Sequence, residues 1–553
     1  VPLNEKYAAG PWRSLDTGFR GEYWSKAIWL FHDSPTLTEA FLQKYYDSMI
    51  LQAEHIMECH SAYRYMSNWG VIENHGLFEI GVCLPQSEKT KQFIAFAVKN
   101  LEVQVRMQIM PDGVHWEQSP MYHNEVLHCL LDVILLAKRN GIALPDVILR
   151  QTEKMAMADV AWLKPDHHIV MMGDSDDVDV RDRISVAAYL FLNPVLRFGA
   201  FDRLDYESIW DLGMKAGEEY AVMERRKPDF TSLFLEHSGN TYFRSDWSER
   251  ANFLHLHSGT MGAGHGHSDK LHIDLVVNGE DVLMDGGRYT YVSGPKRFSY
   301  KDPSGHNTIT VDDLPFTVCK DSWECSKLPQ PVKENFRCTK LAEFAQAGQL
   351  GYMDLPGGVY VNRKVVYIKP DLYILVDEMY TGDCHTYQQY FHFNNHGAVT
   401  LTAPGEKKFP CVAYRGKMAE ADFYFVSAQV KAELKRGHIA RHYNVEEENT
   451  VCKVTKPGDG FTSLITVIDA HPGRPLSIEK LPVRSALKQT DYPETMAEAL
   501  KITTGEKEYV VILCHQEVNS PTDLVEADGC MGYGNVIVFD KAEDVLVGDV
   551  LNW

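Results

Sequence analysis

At 553 residues and 44% apolar composition, the chain has material for more than one well-buried domain. It contains no unbroken apolar run of the roughly eighteen residues needed to cross a bilayer as a helix, and its formal charge of −21 argues against general binding to nucleic acid or anionic membranes. Eleven cysteines, odd in number and without a Cys-x-x-Cys pair, read as free thiols rather than a disulfide framework.

The chain starts at Val1 without a leader pattern, so any targeting segment is expected to have been removed or left out. Residues 1–30 are aromatic and are expected to be irregular. From there to residue 225 the signals are helical. TEAFLQKYYDSMILQAEHIMECHSAY repeats Phe41, Tyr45, Met49 and Ile56 at helical spacing. SEKTKQFIAFAVKNLEVQVRMQI opens on a cap-like Ser87-x-x-Thr90 and puts Phe93, Ala97 and Leu101 on one face. Asn124–Lys138, Pro145–Leu163 and Ile184–Phe191 continue the pattern. NWGVIENHG and MPDGVHWEQSP read as polar, glycine-bearing loops, which suggests stacked antiparallel helical hairpins of toroid type. Around ERRKPDF (224–230) the period changes to short β-branched and aromatic runs split by Gly, Asn and Asp. These predict an antiparallel β-sandwich of more than a dozen strands. Helices followed by strands make an α+β multidomain chain, with a helical domain at 1–228 and a sandwich domain at 229–553. GxGxxG and P-loop signatures are absent, so nucleotide chemistry has no support.

The densest chemistry lies in HLHSGTMGAGHGHSDKLHIDLVVNGEDVLMDGG, where His255, His257, His265 and His267 fall within thirteen positions. A lone histidine is usually a satisfied core or surface residue, but Gly-His-Gly-His has little apolar surface to bury. LHIDLVV-NGED-VLMD reads as a hairpin ending at Asp285. His265 and His267 would face the same way on an extended segment, with Asp285 and His306 as the nearest partners. Neutral imidazoles with a carboxylate suit zinc or a similar divalent metal. Two stretches before helices hold further polar groups: Asn68, Asn74 and His75 in one, Glu117, Gln118, Tyr122 and His123 in the other. Helix-start chemistry accounts for Glu117 and Ser119, but not for Tyr122 beside His123.

Taken together, NHG, DG…WEQSP.YH, GHGH.D, DGG and HNT.TVD resemble the heparinase II/III superfamily of polysaccharide lyases, in the right order over both halves. The resemblance implies an incomplete α/α toroid followed by an antiparallel β-sandwich, and cleavage of a uronic-acid-containing polysaccharide by β-elimination, with a heparin or heparan sulfate-like glycosaminoglycan favoured. It implies Asn74, or the adjacent His75, as the group that neutralises the uronate carboxylate, and Tyr122 and His265 as the acid/base pair. It implies His267, Asp285 and His306 as a structural divalent-metal site, zinc in expectation. Since Asn74 and Tyr122 come from the helical half and His265 from the sandwich, the cleft between domains is the expected active site. Arg64, Arg244, Arg250, Arg288, Lys296 and Arg297 lie near these motifs, and arginine suits carboxylates and sulfates. Arg64, Arg244, Arg288, Arg297, Glu117 and Gln118 are the expected substrate contacts. Rival readings are a glycoside hydrolase using two of Glu73, Glu79 and Glu117, and a non-catalytic glycan-binding protein with a structural metal. Free cysteines lean towards the cytoplasm and the resemblance towards export to the periplasm or envelope. A homo-oligomer is left open.

Overall fold

The computed structural model of the chain describes residue 3 and residues 8–402, 408–505, 507–542 and 545–552. The chain divides into two units. One runs to Ala161 and includes Asp179–Pro228; the other comprises Trp162–Val178 and the chain from Asp229 onward.

The first unit is helical. Its helices are α1 (Ser14–Leu30), α2 (Glu39–Cys59), α3 (Asn68–Cys83), α4 (Glu88–Gln108), α5 (Pro120–Asn140), α6 (Asp146–Trp162), α7 (Arg181–Phe191), α8 (Pro194–Gly199), α9 (Tyr206–Leu212) and α10 (Met214–Ala221). Ser87 and Thr90 form the reciprocal capping box that starts α4. Two expectations are corrected. The aromatic segment before residue 30 is largely helix α1, and NWGVIENHG is not a loop but the first half of α3. The glycines misled: they serve helix contact, not turns. A Cβ on Gly76 would come 2.1 Å from the Gly18 carbonyl oxygen, and one on Gly21 would come 2.6 Å from that of Gly76. Backbones that close exclude any side chain, so α1 and α3 dock through bare glycine faces. Helix α3 also packs on α4 and α5, and most of its residues from Asn68 to Gly81 are buried.

The second unit is antiparallel β-structure. A fifteen-stranded sheet has as its spine the long strands Leu372–Phe393 and Val445–Asp469, paired from Leu372 opposite Asp469 to Phe393 opposite Thr450. A five-stranded sheet follows, from Leu476–Leu481 to Val545–Asn552. Strand alternation assigns the cores. Tyr373 and Leu375 enter a core with Phe391, Phe423 and Ile468. Leu372, Ile374 and Val376 enter another with Ile502, Val511 and Val538 of the five-stranded sheet. The expected hairpin is present as His272–Val277 and Glu280–Leu283, turning at Asn278 (φ 49°) and Gly279 (φ 82°). A short α-helix, Pro295–Lys301, and a 3-10 turn, Pro303–Gly305, interrupt the β region.

Residues 162–178, expected in the helical domain, belong to the β unit. Buried charges tie them there. The Lys164 ammonium lies 2.8 Å from Asp281 and 3.2 Å from Asp177, and Asp174 is enclosed by sandwich residues described below. Deeper in the unit, Arg363 is fully buried. It donates to both oxygens of Asp377 (2.7 and 2.8 Å) and to the carbonyls of Leu271 and Asn307 (2.6 and 2.8 Å). One guanidinium thereby fixes the chain beside His272 and beside His306.

Arg363→Met should leave Asp377 buried without its counter-ion. The expected loss is roughly 3–5 kcal/mol of unfolding free energy by chemical denaturation; an unchanged midpoint would show the pair to be dispensable. The buried Glu378 and Glu498 carboxyls, both lowered to about 2, set an acid limit. Burial opposes their charge, but Lys364 and His515 at Glu378, and His515 and Lys480 at Glu498, outweigh it. A depressed folded pKa stabilises above the ordinary carboxyl value and is lost as pH falls. Thermal melts should therefore show stability falling from pH 4.5 toward about 2, and Glu378→Gln should flatten that limb.

Candidate active site and metal centre

In the helical unit the loop ending at Ser119 is built around buried hydrogen bonds. His115 Nε2 pairs with Gln108 Oε1 at 2.9 Å, and the Gln108 side-chain amide donates to the carbonyls of Tyr65 and Ser67. The His115 backbone amide donates to His123 Nδ1 at 3.2 Å, and His123 Nε2 lies 3.1 Å from the Met155 carbonyl. Burial lowers the His123 pKa to about 3, so this imidazole is neutral and structural. Its neighbour Tyr122, on the first turn of α5, stays partly exposed. Glu117, 3% exposed, accepts from the Asn68 backbone amide at 3.2 Å and from the Asn68 side-chain amide at 2.8 Å. Gln118 is buried with φ 52°, a conformation costly for a residue with a side chain. Glu117 and Gln118, both expected at the substrate, are thus buried, with Glu117 paired to Asn68.

Asn74 and His75 are both buried inside α3 and face different partners. The Asn74 amide donates to the Gly70 carbonyl at 2.7 Å and to Gln104 at 3.4 Å, while its oxygen accepts from Asn100 at 3.5 Å. That is a complete set, spent on its own helix and on α4. His75 Nε2 lies 3.3 Å from both Glu79 and Asp132, and Lys26 sits 2.6 Å from Asp132 and 3.1 Å from Glu22. Burial opposes charge on His75, yet Cys129, Asp132 and Glu79 hold its pKa well above the ordinary value. His75, expected as an alternative carboxylate neutraliser, is thus a buried imidazole inside a carboxylate cluster. Asn68, not singled out for that role from the sequence, is the helix α3 amide attached to the loop that leads to Tyr122.

In the β unit the histidine cluster separates by burial. His255 and His257 lie on strand Phe253–His257, where Asn240 contacts both, at 2.9 and 3.0 Å, and Asp274 contacts His255 at 3.0 Å. They are core residues. His265 and His267 lie on an irregular loop, not a strand, and both reach Asp174. His265 Nδ1 is 3.0 Å from Asp174 Oδ2 and His267 Nε2 is 2.9 Å from Asp174 Oδ1. Arg297 Nη1 and Nη2 donate to the same two oxygens at 2.6 and 2.8 Å. Burial alone would raise the Asp174 pKa, but the two histidines and Arg297 hold it well below the carboxylate range. Three arginines expected at the substrate have buried partners here. Arg297 is fully buried on Asp174. Arg288 is paired with both oxygens of Asp176 at 2.6 and 2.8 Å. Arg244, 3% exposed, donates to the Leu163 carbonyl and lies over the rings of Trp247 and Phe253. Their partners are distant in sequence, so a sequence cannot show that these charges are already spent. In the helical unit, Arg64 is partly exposed, over Trp69 and 3.2 Å from Glu73.

His267, Asp285 and His306 come together: one donor atom from each lies within 4.8 Å of the others. His306 Nδ1 is 2.8 Å from Asp285 Oδ2, and all three side chains are buried. His267 Nδ1 and His306 Nε2 are buried nitrogens without a hydrogen-bond partner. Such atoms cost about 1–3 kcal/mol each unless something binds them. Two imidazole lone pairs and a carboxylate fit a divalent ion of zinc type. Burial lowers the His267 pKa to about 3, which keeps the ring in the neutral, ligating form.

Residues 2–194 match the family described as Heparinase II/III N-terminus, and residues 227–476 that described as Heparinase II/III-like, C-terminal. A heparin-sulfate lyase of Pedobacter heparinus is 26% identical over 341 residues, 58% of this chain and 47% of the relative. A heparin-sulfate lyase of Bacteroides stercoris is 20% identical over 467 residues, 80% of this chain and 64% of the relative. The chain thus spans about half to two thirds of the length of these curated relatives. The crystal structure of a heparinase III superposes with a TM-score of 0.75 at 16% identity, covering 93% of this chain and 77% of that one. At that identity the likeness is one of fold.

For the triad, metal analysis of protein prepared without chelator is expected to find one divalent ion per chain, absent in Asp285→Ala. Chelation should lower the melting temperature more than it alters turnover. A metal-free wild type would remove the assignment.

Proposed function

The chain belongs to the heparinase II/III family, and from that premise we propose that it is a polysaccharide lyase. It cleaves a glycosaminoglycan of heparin or heparan sulfate type by β-elimination at uronate residues, leaving a 4,5-unsaturated uronate. The heparin-sulfate lyases among its relatives support the substrate class. The observation that carries the reading is His265. Of the six histidines at 255, 257, 265, 267, 272 and 306, it alone keeps appreciable exposure, with 13% of its side chain open, while the others are buried.

The chemistry assigns three roles. The C5 proton of a uronate is weakly acidic while its carboxylate is charged, and an amide donor on that carboxylate stabilises the enolate-like charge. Asn68 takes this role here in preference to Asn74, because its amide is held by Glu117 on the loop that leads to Tyr122, whereas that of Asn74 is turned to its own helix and to α4. His265 removes the C5 proton, a task suited to an imidazole near neutrality. Tyr122, partly exposed on α5, donates its phenolic proton to the departing O4 oxygen. The divalent ion proposed at His267, Asp285 and His306 supplies rigidity beside the base. The hydrolase reading loses its carboxylates. Glu73 pairs with Arg64, Glu79 with His75, and Glu117 with Asn68, all three at most 3% exposed.

A panel of uronic-acid polysaccharides followed by ultraviolet absorbance tests the activity, since only elimination creates the conjugated product. Tyr122→Phe should keep the melting temperature and lose about a hundredfold or more in turnover, with little change in KM. Asn68→Ala should lose about 10²-fold in turnover, whereas Asn74→Ala should mainly lower the melting temperature. The reverse pattern would return the neutralising role to Asn74. A folded Tyr122→Phe with near-normal turnover rejects Tyr122 as the acid.

A further inference from the structure

Asp174 was invisible as a site residue in the sequence. It lies 91 positions from His265 and 123 from Arg297 in a stretch with no metal or catalytic pattern. In the fold it is fully buried, and each of its oxygens receives one imidazole nitrogen and one guanidinium nitrogen. Its backbone amide also donates to the His265 carbonyl at 2.8 Å, so main chain and side chain grip the same loop. The two histidines meet the carboxylate through different nitrogens, Nδ1 of His265 and Nε2 of His267.

That difference has a chemical consequence. A carboxylate only accepts, so each nitrogen facing it must carry the proton. The lone pair of His265 then sits on Nε2, at the far side of the ring from its backbone, and the lone pair of His267 sits on Nδ1, a buried nitrogen without a hydrogen-bond partner in the residue that groups with Asp285 and His306. We propose that Asp174 is the positioning residue that sets both tautomers at once, presenting Nε2 of His265 as the base and Nδ1 of His267 as the metal ligand, with Arg297 holding the carboxylate between them. This rests on the lyase reading for the first half and on the triad for the second. Asp174 is neither the proposed base nor a member of the triad. It acts through the two rings, as orienting carboxylates do behind histidine bases and ligands. Arg297 serves as the counter-ion that makes one buried carboxylate able to face two imidazoles without taking up a proton.

Asp174→Asn keeps the volume but turns one acceptor into a donor, which faces either an imidazole N–H or Arg297. It should lower kcat about 10- to 100-fold with KM little changed, and weaken retention of the divalent ion against a competing chelator by a similar factor. Leaving Arg297 buried without its partner should also lower the melting temperature. The double variant Asp174→Asn/Arg297→Gln removes both charges. It should recover much of the melting temperature but neither kcat nor metal retention. Recovery of kcat together with stability would make Asp174 a purely structural counter-ion and overturn the proposal, as would a double variant that cannot fold, or an Asp174→Asn protein with wild-type kcat and metal content. A wild-type protein that forms no unsaturated uronate would instead reject the lyase reading, and the metal-retention arm would then judge the His267 half alone.

Discussion

Charge taken out of water must be matched inside, and the β unit is arranged around that requirement. Arg363, with no solvent exposure, is matched by Asp377 and by two carbonyls, those of Leu271 and Asn307. These carbonyls belong to the segments that carry His272 and His306. Removing ions from water costs several kcal/mol apiece unless the partners are well placed. The pairing therefore defines where two remote loops can lie. Asn307 extends the same logic with neutral groups. Its side chain donates to the Ile273 carbonyl and accepts from the His392 amide, and its backbone amide donates to His272 Nδ1. The triad inherits its geometry from this lattice.

A second tier of buried charge lies nearer the chemistry. Asp174 with Arg297, Asp176 with Arg288, and Lys164 with Asp281 draw residues 162–178 into the β unit, although the chain on both sides of them is helical. Such pairs contribute little net stability compared with apolar replacements, but breaking one is costly, which makes them good at specifying a single arrangement. Here they specify the orientation of the loop that carries His265 and His267. His265 and His267 have no regular secondary structure to hold them, and hydrogen bonds to a fixed carboxylate replace it.

The helical unit meets its demands differently. Helix α3 is nearly enveloped, and its contact with α1 is made by glycine backbone rather than by interlocking side chains. This buried helix carries Asn68, Glu73, Asn74, His75 and Glu79; Asn68 reaches Glu117 and Glu73 reaches Arg64, while Asn74 bonds the Gly70 carbonyl and His75 lies against Glu79 of the same helix. The result is one side chain, Asn68, turned to the loop before Tyr122, and the others turned inward for support.

Much was legible in the sequence because it is written locally. Hydrophobic period is a property of neighbouring residues, so the change from helices to strands near residue 228, the Ser87–Thr90 cap and the Asn278-Gly279 hairpin could be read directly. The motif set was read the same way and pointed to the family. What the sequence could not contain is which polar group is already spent. NWGVIENHG looks like a loop until Gly18 and Gly21 of α1 arrive against Gly76. Asn74 and Asn68 look equivalent until Gln104 and Asn100 occupy one and Glu117 the other. Arg244, Arg288 and Arg297 look like anion-binding cations until Leu163, Asp176 and Asp174 claim them. Composition, period and motif determined the class of protein. Long-range pairing of buried charges and amides, which joins residues as much as 123 positions apart, decided what each candidate group is bound to.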